Sequence, residues 1–581
     1  MKKNKVIIVL ALMIVLITGC EDVLEKTPLD RVSSADFFKS KNDLKIYVNK
    51  FYESNLLFEY NTTWAASRRA IFTHEAVNSD NQLFFGYVDD GLNGQRTILS
   101  SNSDYNDGYK LVRSINYFFD NYEKVEDSFD EYKQYLGEAY FFRALIFYNL
   151  LKKYGEIIWL DYVPDENSDI LYGERMARNE VIDNILADMD SAIELLSEDK
   201  IDGGTRVNKW IALAYQSRIA LYEGTWEKYH ANGVFAAKNP DADKYLQKAV
   251  KAAEEVMNSG GFDIYSTGSP DTDYYNFFNL NDYSSNNSVL IWKKYAVDLG
   301  IINRRMFNGR YPFEGGLTKE LVDSYLCTDG DPISVSPLFL GYDFLVSEMT
   351  DRDPRLLQTV WSPGVPWQIT ADATTNWSVV YNNLFSGGND LISATGYCMR
   401  KGYSANVETH NNNGEDFPDV LFRYAEVLLN YAEAKAELGS ISQADIDMTI
   451  KLLRDRVGMP SLDLATISND PNWDFPTLSP VINEIRRERK VELACEGNRW
   501  SDIQRWAAAD ELIAGHRPKG LKASQLANNP PYPVDADGFI DPLLDALGAS
   551  GYGFKVDRDY LYPIPPEERT LNPKLTQNPG W

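Results

Sequence analysis

Residues 421–439 read LFRYAEVLLNYAEAKAELG and set the architecture that the rest of the chain repeats. Leu421, Tyr424, Ala425 and Leu428 fall at helical spacing, and the segment closes on a glycine, which suits the left-handed end of a helix. A second amphipathic run, SQADIDMTIKLLRDRVG, follows at 442–458. The two runs predict a pair of helices joined by a short turn.

Two earlier segments have the same character, rich in alanine and aromatic residues. They are EYKQYLGEAYFFRALIFYNLLKKYG (131–155) and NKWIALAYQSRIALYEG (208–224), and amphipathic runs follow them at 180–196 and 243–257. Gly155, Gly224 and Gly439 are each predicted to end a helix. Because one helix pair cannot bury its apolar face alone, the pairs should stack into one scaffold. The fold class is therefore mainly α, with tetratricopeptide-like helix pairs at irregular spacing, long irregular loops and a few short strands.

Long segments without helical periodicity interrupt the scaffold. They lie at about 59–108, 262–315 and 329–419 and are rich in Asn, Gly, Ser, Asp and aromatics; one short strand is predicted at Ser288–Tyr295. Long loops in a compact protein are usually functional. We interpret 33–581 as a single domain, with Ser33 as a helix N-cap, that carries a face built from loops.

The amino terminus has the features of an export signal. Lys2, Lys3 and Lys5 precede an apolar run, Val6 to Ile17, that is shorter than the about 20 residues of a membrane span. It ends in Gly19-Cys20, which resembles a bacterial lipobox. We expect residues 1–19 to be a signal peptide, Cys20 to carry lipid, and 20–32 to form a tether. The alternatives are an uncleaved anchor or an ordinary cleavage beside an incidental cysteine.

The composition restricts the function. A net charge of −27 argues against nucleic acid binding, which depends on neutralising phosphates, and fits a neutral ligand. Cys327, Cys398 and Cys495 allow at most one disulfide, and neither a zinc motif nor a cofactor motif occurs, so we expect no metal and no cofactor. Residues 535–538 (DADG) only faintly resemble a calcium loop and are interpreted as a turn. No catalytic motif is present, although a carboxylate pair for glycoside hydrolysis stays open.

Several motifs occur in a fixed order from residue 20 to 581. They are CEDVL (20–24) with Pro28, GEAYFFRA (137–144), RDPR (352–355), RYAE through AKA (423–436), IRRER through EGNRW (485–500), YPIP (562–565) and NPGW (578–581). Together they resemble the SusD/RagB family of nutrient-binding outer-membrane lipoproteins. We interpret Arg486, Arg487, Glu488 and Arg489 as a structural helix with ion pairs to its neighbours. Arg499, Trp500, Trp506, Trp159, Trp210 and Trp226 are interpreted as packing residues.

The resemblance implies a surface lipoprotein that is not an enzyme. It implies capture of an oligosaccharide and delivery to a TonB-dependent outer-membrane barrel of the SusC type. The alternatives are uptake of peptides as in RagB, a secreted glycoside hydrolase, or a scaffold that binds another protein through its repeat groove.

Ligand-binding residues are predicted from chemistry, since sugar rings stack on flat aromatic rings beside polar side chains. Three groups of loop residues fit: Trp64, Arg68, Phe84, Phe85, Tyr87, Asn93 and Arg96; Tyr283, Arg304, Arg305 and Tyr311; and Trp361, Trp367 and Trp377. The alternative for each ring is that it pins its own loop to the scaffold. We expect alanine at Trp361 or Phe85 to weaken binding with little loss of fold.

Overall fold

A computed structural model describes residues 37–53, 56–57, 79–84, 86–411 and 414–581, without the side chains of 307 and 308. The predicted signal peptide, Cys20, tether and Ser33 lie outside these ranges. Within them the first helix begins at Lys41. The helices are α1 Lys41–Glu53, α2 Ser103–Phe119, α3 Phe129–Tyr154, α4 Arg178–Leu195, α5 Lys209–Tyr229, α6 Ala242–Asn258, α7 Asp273–Phe277, α8 Arg305–Gly309, α9 Lys319–Ser324, α10 Leu345–Met349, α11 Pro354–Thr359, α12 Ser378–Tyr381, α13 Tyr424–Glu437, α14 Gln443–Asp447, α15 Ile450–Arg456, α16 Pro480–Glu492, α17 Arg499–Arg505, α18 Ala509–Leu512, α19 Leu544–Leu547 and α20 Pro566–Leu571.

Six short strands form three two-stranded antiparallel sheets in this part of the chain. The strands are β1 Gln82–Phe84, β2 Val289–Lys293, β3 Gly315–Leu317, β4 Pro366–Ile369, β5 Thr374–Asn376 and β6 Asp419–Arg423. They pair as β1–β3, β2–β6 and β4–β5. The strand predicted within 288–295 is confirmed as β2, and the mainly helical fold class is confirmed.

The predicted helix pairs stack into one scaffold. Helix α3 packs on α4, α5 packs on α6, and α13 packs on α6 and α5. Nearly buried arginine–carboxylate pairs join three of the contacts between helices. Arg143–Asp188 links α3 to α4 at 2.6 Å, Arg178–Glu223 links α4 to α5 at 2.7 Å, and Arg218–Glu426 links α5 to α13 at 2.6 Å. Such pairs fix which helix faces meet, because an unpaired buried charge would be costly.

The glycines predicted to end helices behave differently from one another. Gly155 (φ 70°) and Gly439 (φ 66°) adopt the positive φ expected at a helix end. The prediction for Gly224 is wrong, because α5 continues through it to Tyr229. An ideal Cβ at Gly224 would lie 2.7 Å from Leu246 Cγ of α6, so this glycine permits close helix approach.

Two element boundaries also differ from the prediction. The run 442–458 is divided into α14 and α15 at Thr449, whose backbone is not helical (φ −127°, ψ −88°). Helix α2 begins inside the first predicted insertion, because the side chain of Asn102 accepts a hydrogen bond from Asp104 N and caps it. The other two insertions carry short helices and strands as well as loops.

The charged residues of α16 are structural, as predicted. Arg486 pairs with Glu437 at 3.2 Å, and Arg489 pairs with Asp502 at 2.9 Å. Arg487 pairs with Asp470, and Glu488 binds Arg355 and Arg454. The carboxylate of Glu492 forms ion pairs with the guanidinium groups of Arg355, Arg423 and Arg456 at 2.9, 2.6 and 2.7 Å. Residues of three sequence motifs, RDPR (352–355), RYAE through AKA (423–436) and IRRER through EGNRW (485–500), therefore meet in one buried network of ion pairs.

The cysteines, residues 535–538 and the tryptophans were also the subject of sequence predictions. Cys327, Cys398 and Cys495 are buried and form no disulfide bridge with one another. Residues 535–538 form a turn in which Asp537 N donates to Asp535 Oδ1 at 3.1 Å. Trp159, Trp226 and Trp506 are buried, while Trp210 and Trp500 are half-buried against the main core. Among the described helices, none is long and apolar enough to cross a membrane.

Candidate functional site

Two of the predicted loop groups meet at Tyr311 and Trp367. Their ring centroids lie 5.5 Å apart, tilted by 54°. The indole Nε1 of Trp367 donates to the carbonyl of Arg310 at 2.8 Å, which fixes the β4 loop to the loop before β3. Tyr311 is half-buried, whereas Trp367 is buried. The pair therefore offers Tyr311 as the more accessible ring on a rigid support.

The β1 strand adds Phe84 to the same part of the molecule. Phe84 pairs with Gly315 across β1 and β3. Gly315 is only four residues along the chain from Tyr311. Its side chain is half-buried. Arg304 is exposed just before α8, in the segment that leads to Tyr311. We use the name loop face for the surface around Phe84, Arg304, Tyr311 and Trp367.

The predicted exposure of Trp361 is contradicted by its burial. Trp361 is only 1% exposed, and it stacks on Trp377 with centroids 4.8 Å apart and planes 7° apart. Tyr403 packs edge-on against Trp361 at 5.5 Å. The loop that carries these rings folds over a second hydrophobic core, so their faces are covered by protein. Trp361 and Trp377 are packing residues in this structure.

Tyr283 is also buried, contrary to its predicted exposure. Its exposed fraction is 0%, and its hydroxyl donates to the carbonyl of Phe277 at 2.7 Å. Its ring meets Trp292 at 5.9 Å. Arg305, beside Arg304, binds Asp419 at 2.9 Å. Tyr283 therefore anchors its own loop, which was the alternative to ligand binding for each predicted ring. Arg305 likewise makes an internal ion pair.

Of the other residues in the first group, two contact the carboxy-terminal segment and three lie outside the described residues. Asn93 Oδ1 accepts from Gly553 N at 3.1 Å. Arg96 donates to the carbonyl of Asp559 at 3.2 Å and lies over the Tyr562 ring at 3.9 Å. Asn93 and Arg96 thus anchor their loop, and Tyr87 is half-buried in the turn before it. Trp64, Arg68 and Phe85 lie outside the described residues.

Phe385 and Tyr532 are two further half-buried rings beside the loop face that our sequence prediction missed. Their centroids lie 6.0 Å apart with planes at 90°. Phe385 is an aromatic residue in a polar loop, FSGGND (385–390). The reasoning that selected Tyr311 from the sequence could therefore have selected Phe385 as well. Tyr532 lies outside the predicted insertions, and only the fold brings it to Phe385.

A separate cavity of about 840 Å³ lies between the helix scaffold and the loops. Two of the residues in our predicted ligand-binding groups, Tyr283 and Arg305, are among the described residues that line it. Charged groups on its wall bind each other: Arg218 pairs with Glu426 at 2.6 Å, and Arg423 pairs with Glu496 at 2.7 Å. We take the loop face as the candidate site because Phe84 and Tyr311 are partly exposed there.

Titratable groups near Tyr311 are tuned by burial. Burial lowers the pKa of His410, which packs on Tyr403, so the imidazole is neutral at physiological pH. Burial also raises the pKa of the Tyr403 and Tyr532 hydroxyls. Within the described ranges no group of three His, Cys, Asp or Glu side chains is arranged to hold a metal.

Two family models of known proteins match separate parts of the chain. Residues 27–221 match a family model described as "Starch-binding associating with outer membrane", and residues 302–581 match the model of the "SusD family". Together these matches span both the helix scaffold and the loop face. This chain belongs to the SusD/RagB family. The recognition made from the motifs is confirmed, and the family is one of carbohydrate-binding proteins with an outer-membrane association.

Curated relatives of this SusD/RagB chain align over nearly its whole length. SusD-like protein P2 of Formosa agariphila is 24% identical and covers 100% of both chains. SusD-like protein P38 of the same organism is 24% identical over 88% of this chain and 94% of its own.

Solved structures share the fold. A SusD-like carbohydrate-binding protein from Bacteroides fragilis superposes with a TM-score of 0.69 at 21% identity, covering 93% of this chain and 100% of its own. A laminarin-binding SusD-like protein gives a TM-score of 0.57 at 17% identity, covering 94% and 100%. At these identities the likeness shows the fold alone.

Proposed function

We propose that this protein binds an oligosaccharide through its loop face and hands it to a TonB-dependent barrel of the SusC type in the outer membrane. The observation that carries the ligand site is the half-buried Tyr311 ring, which packs on Trp367 and follows the exposed Arg304 along the chain. A rigid ring loses little conformational entropy on binding, and the arginine donates hydrogen bonds to sugar hydroxyls. The ligand is bound without being cleaved.

The proposal includes a lipid anchor on Cys20. Acyl chains on that thiol would hold the protein at the membrane, since each buried methylene contributes about 0.8 kcal/mol. We expect Cys20→Ser to release the protein from the membrane fraction of cells. In cells that lack the transporter, retention of this variant in the membrane fraction after a high-salt wash would contradict the anchor.

Affinity electrophoresis across a panel of polysaccharides tests the ligand class. We expect the wild-type protein to be retarded by at least one glycan without producing new reducing ends. Tyr311→Ala should remove most of the retardation, whereas Phe129→Ala, an equally aromatic change at a ring 51% exposed on the helix scaffold, should not. Release of reducing ends would support the hydrolase. Binding to peptides alone would support a RagB-type carrier.

The partner is tested by co-purification from cells that express the chain with its transporter. We expect a SusC-type barrel to be recovered with the protein and to remain bound when Tyr311 is replaced by alanine. Recovery of only soluble proteins would instead support a general scaffold that binds through the repeat groove.

A further inference from the structure

A strained turn lies directly after Tyr311. Gly315 N donates to the carbonyl of Pro312 at 2.9 Å, which closes a four-residue turn with Phe313 and Glu314 at its centre. Both central residues have a positive φ, 45° for Phe313 and 72° for Glu314. Positive φ at both positions is the pattern of a type I′ turn, in which asparagine and glycine are preferred because other side chains crowd the backbone. Phenylalanine and glutamate therefore hold this turn in a conformation of high energy.

Backbone hydrogen bonds to the segment 390–392 hold the turn in this conformation. Glu314 N donates to the carbonyl of Ile392 at 2.8 Å, and Phe313 N makes a longer bond of 3.4 Å to the carbonyl of Asp390. Both donors are main-chain amides, so the two bonds do not depend on which side chains the turn carries. They offset the strain only while the two segments stay together.

The loop that leads into this partner segment is strained as well. Phe385 has a φ of 63°, which residues other than glycine seldom adopt. Phe385 N donates to the carbonyl of Leu391 at 3.0 Å, and Leu391 N donates to the carbonyl of Gly388 at 3.2 Å, so the loop folds back on itself. Strained residues thus lie on both sides of one contact between two segments. Positions of this kind cluster where proteins bind ligands or change conformation.

The turn also determines where Tyr311 lies. The Phe313 ring meets the Tyr311 ring at 5.8 Å, with planes at 83°, and Tyr311 packs on Trp367 at 5.5 Å. On the other side of the turn, Gly315 is fixed in the β1–β3 sheet. A relaxation of φ at Phe313 and Glu314 therefore displaces the chain before the turn, which carries Tyr311.

We propose that the turn 312–315 is a latch with two states, strained and closed against 390–392 or relaxed and open, and that Tyr311 binds ligand only in the closed state. Opening of the latch then releases the ligand, so the rate of glycan dissociation follows the population of the open state. This inference rests on the proposed function and adds a means of release to it. In the competing account the turn is static and only begins β3.

Substitutions at Glu314 change the strain of the turn while keeping its backbone hydrogen bonds. Asparagine is several-fold enriched at positive φ, whereas a β-branched residue is an outlier there. Glu314→Asn should therefore favour the closed latch, and Glu314→Val should favour the open one. Asp351→Val is the matched control, because Asp351 also has a positive φ, 55°, but is exposed in the turn before α11.

Hydrogen–deuterium exchange without any glycan tests the latch itself. The readout is the peptide 385–395, which carries no substitution and includes Ala394, whose amide donates to the carbonyl of Gly315 at 3.3 Å. We expect Glu314→Val to speed its exchange about fivefold or more and Glu314→Asn to slow it about threefold. Asp351→Val should leave it unchanged. Equal exchange of this peptide in all variants would overturn the latch, whether or not a glycan binds.

The rate at which the retained glycan dissociates, measured by surface plasmon resonance, tests the coupling to Tyr311. We expect Glu314→Val to dissociate about fivefold faster or more, Glu314→Asn about threefold slower, and Asp351→Val at the wild-type rate. Faster dissociation in both Glu314 variants would show that this side chain contacts the glycan, and equal rates in all variants would show that the turn plays no part in release; either result overturns the proposal. Failure of the wild type to bind any glycan would overturn the proposed function and the release role, while the exchange result would still decide whether the turn opens.

Discussion

Replacement of Glu492 by glutamine probes the buried network on which the helix scaffold depends. The side chain of Glu492 is fully buried, and three guanidinium groups lie 2.6–2.9 Å from its carboxylate oxygens. Glutamine keeps the shape but removes the charge, which leaves Arg355, Arg423 and Arg456 with an excess of positive charge in the core. Breaking a buried ion pair by removing one partner costs about 3–5 kcal/mol, and we expect a loss of that size.

The expected shift in melting temperature follows from the size of the chain. Unfolding entropy is about 2.1 cal/mol/K per residue, which gives roughly 1.1 kcal/mol/K over residues 37–581. Glu492→Gln should therefore lower the melting temperature by about 3–5 °C in differential scanning calorimetry at pH 7. Glu198→Gln is the matched control, because Glu198 is exposed and pairs with Lys209 at the surface. The control should melt within about 1 °C of the wild type.

The effect of Glu492→Gln should also depend on pH in a defined direction. Burial alone would raise the pKa of Glu492, but the charges of Arg456, Arg423 and Arg355 outweigh it and hold the pKa well below its ordinary value. A carboxylate with a lowered folded-state pKa contributes stability above its unfolded pKa of about 4.3 and loses that contribution as the pH falls further. The difference between wild type and variant should be constant from pH 8 to 6 and shrink below about pH 4. A variant that melts with the wild type at pH 7 would refute the reasoning.

Three other substitutions test the packing and the electrostatics of the scaffold. Trp361→Ala should lower the free energy of unfolding by about 3–5 kcal/mol because its ring is buried. A loss below about 1 kcal/mol in urea denaturation would contradict the burial of this ring. Gly224→Ala should cost about 1–3 kcal/mol in the same assay, since its Cβ would collide with Leu246, and an unchanged midpoint would contradict this contact. Burial and the neighbouring Glu223 raise the pKa of Glu227 to about 7, so its charged form is disfavoured in the folded protein. Glu227→Gln should therefore stabilise more at pH 8 than at pH 5, and equal effects at both would show that this carboxylate is solvated.

The helix pairs were predictable because the signals that specify them are local. Alternating alanine and aromatic residues at helical spacing identify α5 and α13 without knowledge of their neighbours. Gly224 shows the limit of this approach, since a glycine that ends a helix and one that admits a neighbouring helix look alike in sequence. Only the position of Leu246 in the folded chain distinguishes the two.

The candidate site was harder to predict because it depends on contacts between distant segments. A polar loop around Trp361 suggested an exposed ring, but the loop folds over its own hydrophobic core and stacks Trp361 on Trp377. The meeting of Tyr311 with Trp367 likewise arises from tertiary structure and leaves no local signal. Loop composition therefore identified segments that carry partly exposed rings, such as Tyr311, but not which rings within them are covered.

Hydrogen–deuterium exchange with and without the retained glycan tests ligand capture at the loop face most directly. We expect binding to slow exchange in peptides covering 302–313 and 366–376, and to leave the helix pairs of the scaffold unchanged. The same protection should be absent in Tyr311→Ala at equal glycan concentration. Protection confined to the scaffold helices, with none around Tyr311, would contradict the account.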